Sequence, residues 1–189
     1  MSPSTRNSRE SWRGRSVIQI GLSFFDHIGN ARPNCCTWQF NFNFSLWNDM
    51  YAEEPMARLA NSGIEFKRHE DEGIDPYDFA QAITASGLVL SDEVHWLTYQ
   101  GRHDFGFLLK VLTNQELPED ESEFNELMHL YFPSYCHVKT ITDTFNIYLG
   151  TLEEVSAQFQ FQQIGPGRLA GNNSLFTGAA FFRIREMFM

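Results

Sequence analysis

The stretch Ser16-Val-Ile-Gln-Ile-Gly-Leu-Ser-Phe-Phe25, followed beyond a Gly29-Asn30 turn by Thr37-Trp-Gln-Phe-Asn-Phe-Asn-Phe44, decides the fold class. Its first part is a near-continuous apolar run, the pattern of a strand in a buried sheet. Its second part alternates strictly. Trp38, Phe40, Phe42 and Phe44 fall on one side, and Thr37, Gln39, Asn41 and Asn43 on the other. A period of two predicts a half-buried strand, paired with the first through a long hairpin. A row of aromatics would also suit an RNA-stacking platform, but strict alternation fits one core-facing side of a strand better.

Helical signals lie downstream. Met56, Leu59 and Ala60 carry a short apolar face. Asp75-Pro76 reads as a capping carboxylate followed by proline at the first helical position, with the helix running to about Ser86. Val94 to Tyr99 reads as a strand. Phe105, Leu108, Leu109 and Leu112 recur at helical spacing within Asp104 to Thr113. Glu123 to Tyr131 is a further helix, stopped by Pro133, and Cys136 to Lys139 a short strand. Thr151-Leu-Glu-Glu154 is a capping box, and Ser174 to Met187 a final apolar helix. Strands and helices in this order predict an α/β layer fold with a mixed sheet.

Composition bounds the function. The 189 residues fit one domain, and 42% hydrophobic content with 18 Phe is ample for its core. No apolar run approaches the roughly 20 residues of a membrane span. Residues 1–15 hold four Arg, four Ser and no Val, Ile or Leu, so they read as a disordered polar tail and not as a secretory signal. Cys35, Cys36 and Cys136 cannot all pair within the chain and lack a Cys-x-x-Cys spacing, which favours a reducing compartment, nucleus or cytoplasm. A formal charge of −10 argues against general affinity for nucleic acid. It leaves open a nuclease whose carboxylates hold metal ions, because the ions supply local positive charge. The acidic run Glu116 to Glu126 reads as a solvated loop and helix start.

Several stretches resemble one family. Ile18-Gln-Ile-Gly-Leu-Ser-Phe24, Trp38-Gln-Phe-Asn-Phe42, Asp49-Met-Tyr51 and Ser62-Gly-Ile-Glu-Phe-Lys67 are similar to the Caf/Pop deadenylases. So are Asp104-Phe-Gly-Phe-Leu108, Ile164-Gly-Pro166 and Ala180-Phe-Phe-Arg-Ile-Arg-Glu-Met-Phe188. The likeness spans residues 16–189 in the right order. It implies a ribonuclease-H-like domain, a mixed sheet flanked by helices, in the catalytic subunit of the carbon-catabolite-repressor–Not complex. The implied activity is a 3′-to-5′ exoribonuclease that trims messenger-RNA poly(A) tails in nucleus and cytoplasm, with no membrane association. The implied partners are the Not scaffold subunit, the partner deadenylase and poly(A) RNA. The implied cofactor is Mg²⁺ or Mn²⁺: two ions held by four acidic residues, one activating water and one stabilising the leaving oxygen, with a histidine handling the proton.

The resemblance transfers only in part. The family's opening strand, with its Asp-x-Glu pair, has no counterpart here, so the domain is expected to be incomplete and to lack the central strand of its sheet. Asp104 stands at a metal-binding aspartate, and its other reading is a helix N-cap. The family histidine falls on Arg168 and the last aspartate on Asn173. Arginine stays protonated and cannot act as a base, though it can hold a phosphate bidentately. Asparagine keeps an oxygen and loses the charge that binds a hard cation. Catalysis by this chain is therefore expected to be impaired. The alternative is a pseudo-deadenylase that serves as a protein-binding subunit. The missing strand leaves open a truncated sequence or a degenerate paralogue. His95, His103 and His137 lack ligand spacing and read as ordinary strand or surface histidines. The Cys35-Cys36 pair has no activating basic neighbour.

Overall fold

The structure is a computed structural model and describes residues 16–31, 35–49, 51, 53–144, 150–163 and 169–188. Arg168, the Ile164-Gly-Pro166 stretch and the polar tail 1–15 lie outside the described residues. The hairpin read from the sequence is present. Strand β1 (Gln19–Ser23) pairs antiparallel with β2 (Thr37–Asn41), in a register running from Gln19 opposite Asn41 to Ser23 opposite Thr37. Phe42 N donates to Ile18 O at 2.9 Å and Phe24 N to Cys36 O at 2.7 Å, which prolongs the ladder at both ends. At the turn, the Asp26 carboxylate accepts from Ile28 N at 3.0 Å and Asn30 N at 2.9 Å, and Gly29 takes a φ of 97°. That cluster of donors holds the Asp26 carboxyl below the usual carboxylate range.

Three helices follow: α1 (Glu53–Asn61), α2 (Phe66–Glu72) and α3 (Pro76–Ala85). Helix α3 begins as its sequence predicts, with Asp75 accepting from Tyr77 N at 2.7 Å and Pro76 in the first turn. Helix α2 carries little apolar periodicity. Its Lys67–Asp71 and Arg68–Glu72 pairs, both 2.9 Å and both i,i+4, lie along its solvent face. Strand β3 (His95–Thr98) then runs parallel to β4 (Ser134–His137), and the crossover between them is formed by α4 (Arg102–Thr113) and α5 (Glu121–Tyr131). Asp120 caps α5, accepting from Ser122 N and Glu123 N. The chain closes with α6 (Val138–Thr144), α7 (Leu152–Gln158) and α8 (Ala170–Phe188). The capping box of α7 is complete: Glu154 N donates to Thr151 Oγ1 at 3.3 Å, and Thr151 N to Glu154 Oε2 at 2.6 Å.

The fold is therefore α/β with antiparallel and parallel strand pairing, but among the described residues the strands form two separate pairs. Neither the open edge of β1 nor that of β3 is paired to another described strand. Among the described residues, no helix is long and apolar enough to cross a membrane.

The main core gathers Phe42, Phe79, Phe105, Leu109, Phe124, Met128 and Phe132 between the hairpin and α3 to α5. Phe40 and Phe42 meet Phe79 edge-on at 4.9 and 5.1 Å, and Phe105 lies 4.7 Å from Phe132. Trp38 departs from the expected core row and is 53% exposed. It opposes Leu22 towards the turn end of the hairpin, where Phe24 and Ile28 are exposed as well. A smaller core packs Tyr99, Val138 and Val155 against Ala180 and Ile184 of α8.

Helix α8 packs against both β1 and β3. Its start reaches β1 so closely that a Cβ on Gly21 would lie 2.0 Å from the Ala170 carbonyl oxygen. Backbone cannot yield as a flexible side chain would. Gly21→Ala is expected to destabilise the protein by about 1–3 kcal/mol, or more, in urea unfolding followed by circular dichroism. Gly171→Ala, whose added Cβ would meet nothing nearer than 3.4 Å, serves as the mild control.

Candidate functional site

A cleft of about 790 Å³ opens between the free edges of the two strand pairs. One wall is the run Ser16 to Leu22, and the other is Trp96 to Gln100. Phe105, Phe107 and Leu108 of α4 close one side. Ala170, Asn173, Ser174 and Thr177 of α8 close the other, and Thr151 to Glu153 form part of the rim.

Asp104 enters the cleft from the first turn of α4. Its N-cap reading is corrected by the structure. The cap position is Gly101, whose φ of 77° suits a residue without a side chain, and Asp104 sits three residues further on. The chain enters α4 sharply there: a Cβ on Gly101 would fall on the His137 ring. That turn delivers Asp104 to the cleft mouth, where water reaches it while the protein crowds round it. Loss of hydration raises its carboxyl pKa above the ordinary value, and the charge of neighbouring His103 partly opposes the rise.

Asn173 faces the same cleft from the first turn of α8. Its backbone N–H donates to Leu169 O at 3.1 Å, and Thr177 Oγ1 donates to its carbonyl at 2.8 Å, so the side chain is left pointing outward and exposed. The turn is pinned to the sheet. Gly171 N donates to Gln39 Oε1 at 3.1 Å, and the Ser174 and Ser23 hydroxyls are 2.8 Å apart. The polar side of the hairpin thus seats the start of α8, and the apolar side faces the core.

Of the residues singled out in the sequence, Asp104 and Asn173 share this cleft, and Arg168 lies outside the described residues. His103 also lines the cleft. His137 is held away from it by a 3.0 Å hydrogen bond with Thr98 Oγ1 and by ring contacts with Phe105 and Tyr135. His95 hydrogen-bonds Ser134 at the start of the parallel pair. The three cysteines are free thiols, and burial pushes the Cys136 thiol up. Sequence reasoning passed over Glu153 on the rim. Its position in a capping box marks a helix start, and nothing in the spacing announces that this helix start borders the cleft.

The donors present do not fit a two-ion site. Among the described residues, no group of three or more His, Cys, Asp or Glu is gathered where it could hold a metal. Asp104 and, on the rim, Glu153 are the carboxylates of the described lining, and with the neutral amide of Asn173 they bring too little negative charge to balance two divalent cations.

No family model matches the sequence. Individual proteins do. The chain is 42% identical over 172 residues to the poly(A) ribonuclease pop2 of Schizosaccharomyces pombe, covering 91% of this chain and 51% of that protein. It is 38% identical over 179 residues to the probable CCR4-associated factor 1 homolog 7 of Arabidopsis thaliana, covering 91% of this chain and 65% of that one. Among solved structures, the Mg²⁺- and Mn²⁺-bound form of S. pombe Pop2p superposes with a TM-score of 0.93 at 40% identity, over 98% of this chain and 73% of that one. The yeast CAF1 co-crystallised with the NOT1 MIF4G domain matches with a TM-score of 0.80 at 30% identity, over 97% of this chain and 72% of the other.

These likenesses and the ribonuclease-H-like fold define a nuclease-type domain. The chain belongs to the Pop2/CAF1 poly(A) ribonuclease family. It spans about half the length of the S. pombe relative and just under two thirds of the Arabidopsis one.

The raised Asp104 pKa has a definite sign. The folded state binds the proton more readily than the unfolded chain, so between the ordinary carboxyl value and the raised one, stability falls as pH rises. Without divalent metal, Asp104→Asn is expected to raise the melting temperature at pH 7. It should also shrink the difference between melts at pH 5 and pH 7, as read by circular dichroism.

Proposed function

We propose that this chain acts in the shortening of messenger-RNA poly(A) tails, as a deadenylase-family subunit whose own 3′-to-5′ exoribonuclease chemistry is impaired. The observation that carries the reading is that Asp104 and Asn173 share one cleft; the resemblance implies a metal-binding aspartate at each of the two positions. The charge supporting Mg²⁺ or Mn²⁺ is reduced there, and Arg168 in place of a histidine removes a base and leaves a phosphate contact. The Mg²⁺- and Mn²⁺-bound form of S. pombe Pop2p supports the choice of ions. Free thiols at Cys35, Cys36 and Cys136 support a reducing compartment, nucleus or cytoplasm.

Incubation with 5′-labelled poly(A) RNA and Mg²⁺ or Mn²⁺ tests the reading. The expected result is no progressive 3′ shortening, and no change in Asp104→Ala. Robust shortening that disappears in Asp104→Ala overturns the impairment. Asn173→Asp restores a carboxylate to the cleft and is expected to tighten Mn²⁺ binding by roughly tenfold or more in calorimetric titration.

A second reading, a protein-binding subunit of the Not complex, is favoured by one observation. The fold follows that of the yeast CAF1 co-crystallised with the NOT1 MIF4G domain over 97% of this chain. Docking to such a scaffold needs surface shape and no metal. Retention of the folded chain on an immobilised MIF4G domain is expected, and failure to bind removes this reading.

A further inference from the structure

The polar side of the hairpin carries a ladder of three amides. Gln19 faces Asn41 across the strands, and Gln39 lies two residues before Asn41 on the same side of β2. The polarity of the ladder is set by the backbone of α8. Gly171 N–H can only donate, so the atom it meets at 3.1 Å is Gln39 Oε1, and Gln39 Nε2 points on along the ladder. That nitrogen donates to Asn41 Oδ1 at 3.3 Å, and Gln19 Nε2 donates to the same oxygen at 2.8 Å. Two groups are left over: Gln19 Oε1, an acceptor, and Asn41 Nδ2, a donor. Neither has a partner among the described residues.

The three amides line a second cavity, of about 350 Å³, which lies within the size range of small-ligand sites. Ile64, Ile74 and Leu169 give it apolar surface. Ile74 N donates to Asn41 O at 2.8 Å, which holds the end of α2 against the ladder and brings the His69 ring to the cavity wall. His69 is only 5% exposed. Its Nδ1 lies 3.0 Å from Phe42 O, and a carbonyl only accepts, so Nδ1 carries the proton. Its Nε2 is then a buried acceptor without a partner among the described residues, which is costly until a donor reaches it. Glu65 and Glu72 also line the cavity, and Arg68 is already paired with Glu72 at 2.9 Å. A phosphate would meet net negative charge there, whereas a flat neutral ligand would not. Gln19 and Ile64 line both this cavity and the cleft of Asp104, so the two adjoin.

We propose that this cavity is a base pocket, which reads the amino edge of an adenine whose strand continues into the cleft. Gln19 Oε1 and His69 Nε2 accept from the exocyclic amino group, and Asn41 Nδ2 donates to the neighbouring ring nitrogen. An amide that offers an acceptor and a donor side by side is the usual complement of adenine. A base with a carbonyl in place of the amine would set oxygen against Gln19 Oε1 and leave both acceptors unsatisfied. The inference rests on the poly(A) reading for the identity of the strand. The pocket itself uses no metal and no carboxylate, so base binding survives the loss of cleavage. Every group it uses lies between Gln19 and Leu169.

The test uses the full 189-residue chain in EDTA with adenosine, which takes both metal and phosphate out of the measurement. Saturable shifts of the Gln19 and Asn41 side-chain amide signals are expected in nitrogen–proton correlation spectra. Inosine, which carries a carbonyl for the amine, is expected to bind about tenfold more weakly, or worse. Asn41→Asp keeps the oxygen that accepts from Gln19 and Gln39 and exchanges only the free donor for a second oxygen. It is expected to melt as a folded chain and to lose adenosine affinity about tenfold or more. Absence of saturable shifts at Gln19 and Asn41 overturns the proposal. So does equal affinity for inosine, which would mark burial of a ring without readout of its edge, and so does unchanged affinity in folded Asn41→Asp. If that variant does not fold, adenosine against inosine on the unaltered chain decides alone. Each of these failures leaves the poly(A) reading standing, because RNA shortening and scaffold retention test it separately. Adenosine binding by a chain that fails both of those assays would keep the pocket and remove that reading.

Discussion

The contact on which the rest of the arrangement depends is the approach of the start of α8 to β1 at Gly21. The Ala170 carbonyl comes within a distance that no side chain would allow, and the Gln39 and Ser23 side chains hydrogen-bond the same helical turn. Because α8 also packs on β3, it joins the main core in holding the antiparallel pair and the parallel pair in fixed relation, although the pairs share no hydrogen-bonded ladder. Asn173 stands at the cleft because its helix is seated there. The second core, with Ala180 and Ile184 against Val138 and Val155, anchors the far end of the same helix. Helix α8 therefore does part of the work that strand pairing does in a continuous sheet.

The chemistry of the cleft follows from how little charge it holds. Asp104 is delivered by the sharp entry at Gly101, into surroundings that disfavour its ionised form. A hard divalent ion would reverse that preference by supplying an opposite charge. With a neutral amide at Asn173, the described lining adds only Glu153, on the rim, as a second carboxylate. Membership of the Pop2/CAF1 family and the chemistry of this cleft are thus separate matters. Global likeness rests on the core and its element order, while catalysis rests on a few charges that the core does not require.

Local signals were read most faithfully where one or two residues decide them. The hairpin follows from strict alternation, α3 from Asp75-Pro76, and α7 from its capping box, each satisfied by the hydrogen bonds expected of it. The sequence of α2 is almost wholly charged and carries no helical periodicity, and the threonines and valine of α6 favour a strand locally while packing on the second core makes a helix. The start of α8 extends a turn beyond the apolar pattern, through Ala170 to Asn173, because the hairpin's polar side holds it. A carboxylate before an apolar helix ordinarily caps it, and Asp104 stands where such a cap is expected. The glycine three residues earlier took that place, having the freedom in φ that the entry needs.

Alone, the sequence pointed to the family, the α/β class and the hairpin, because periodicity, caps and residue type are local properties. Tertiary structure decided which of those residues meet. It put Asp104 and Asn173 in one cleft, exposed Trp38 at the end of a row in which Phe42 and Phe44 are buried, placed Glu153 on the rim, and set two open strand edges facing one another. These outcomes depend on how closely backbones approach across long sequence separations. The meeting of Gly21 with Ala170 is such an approach, and no local pattern in either segment encodes it.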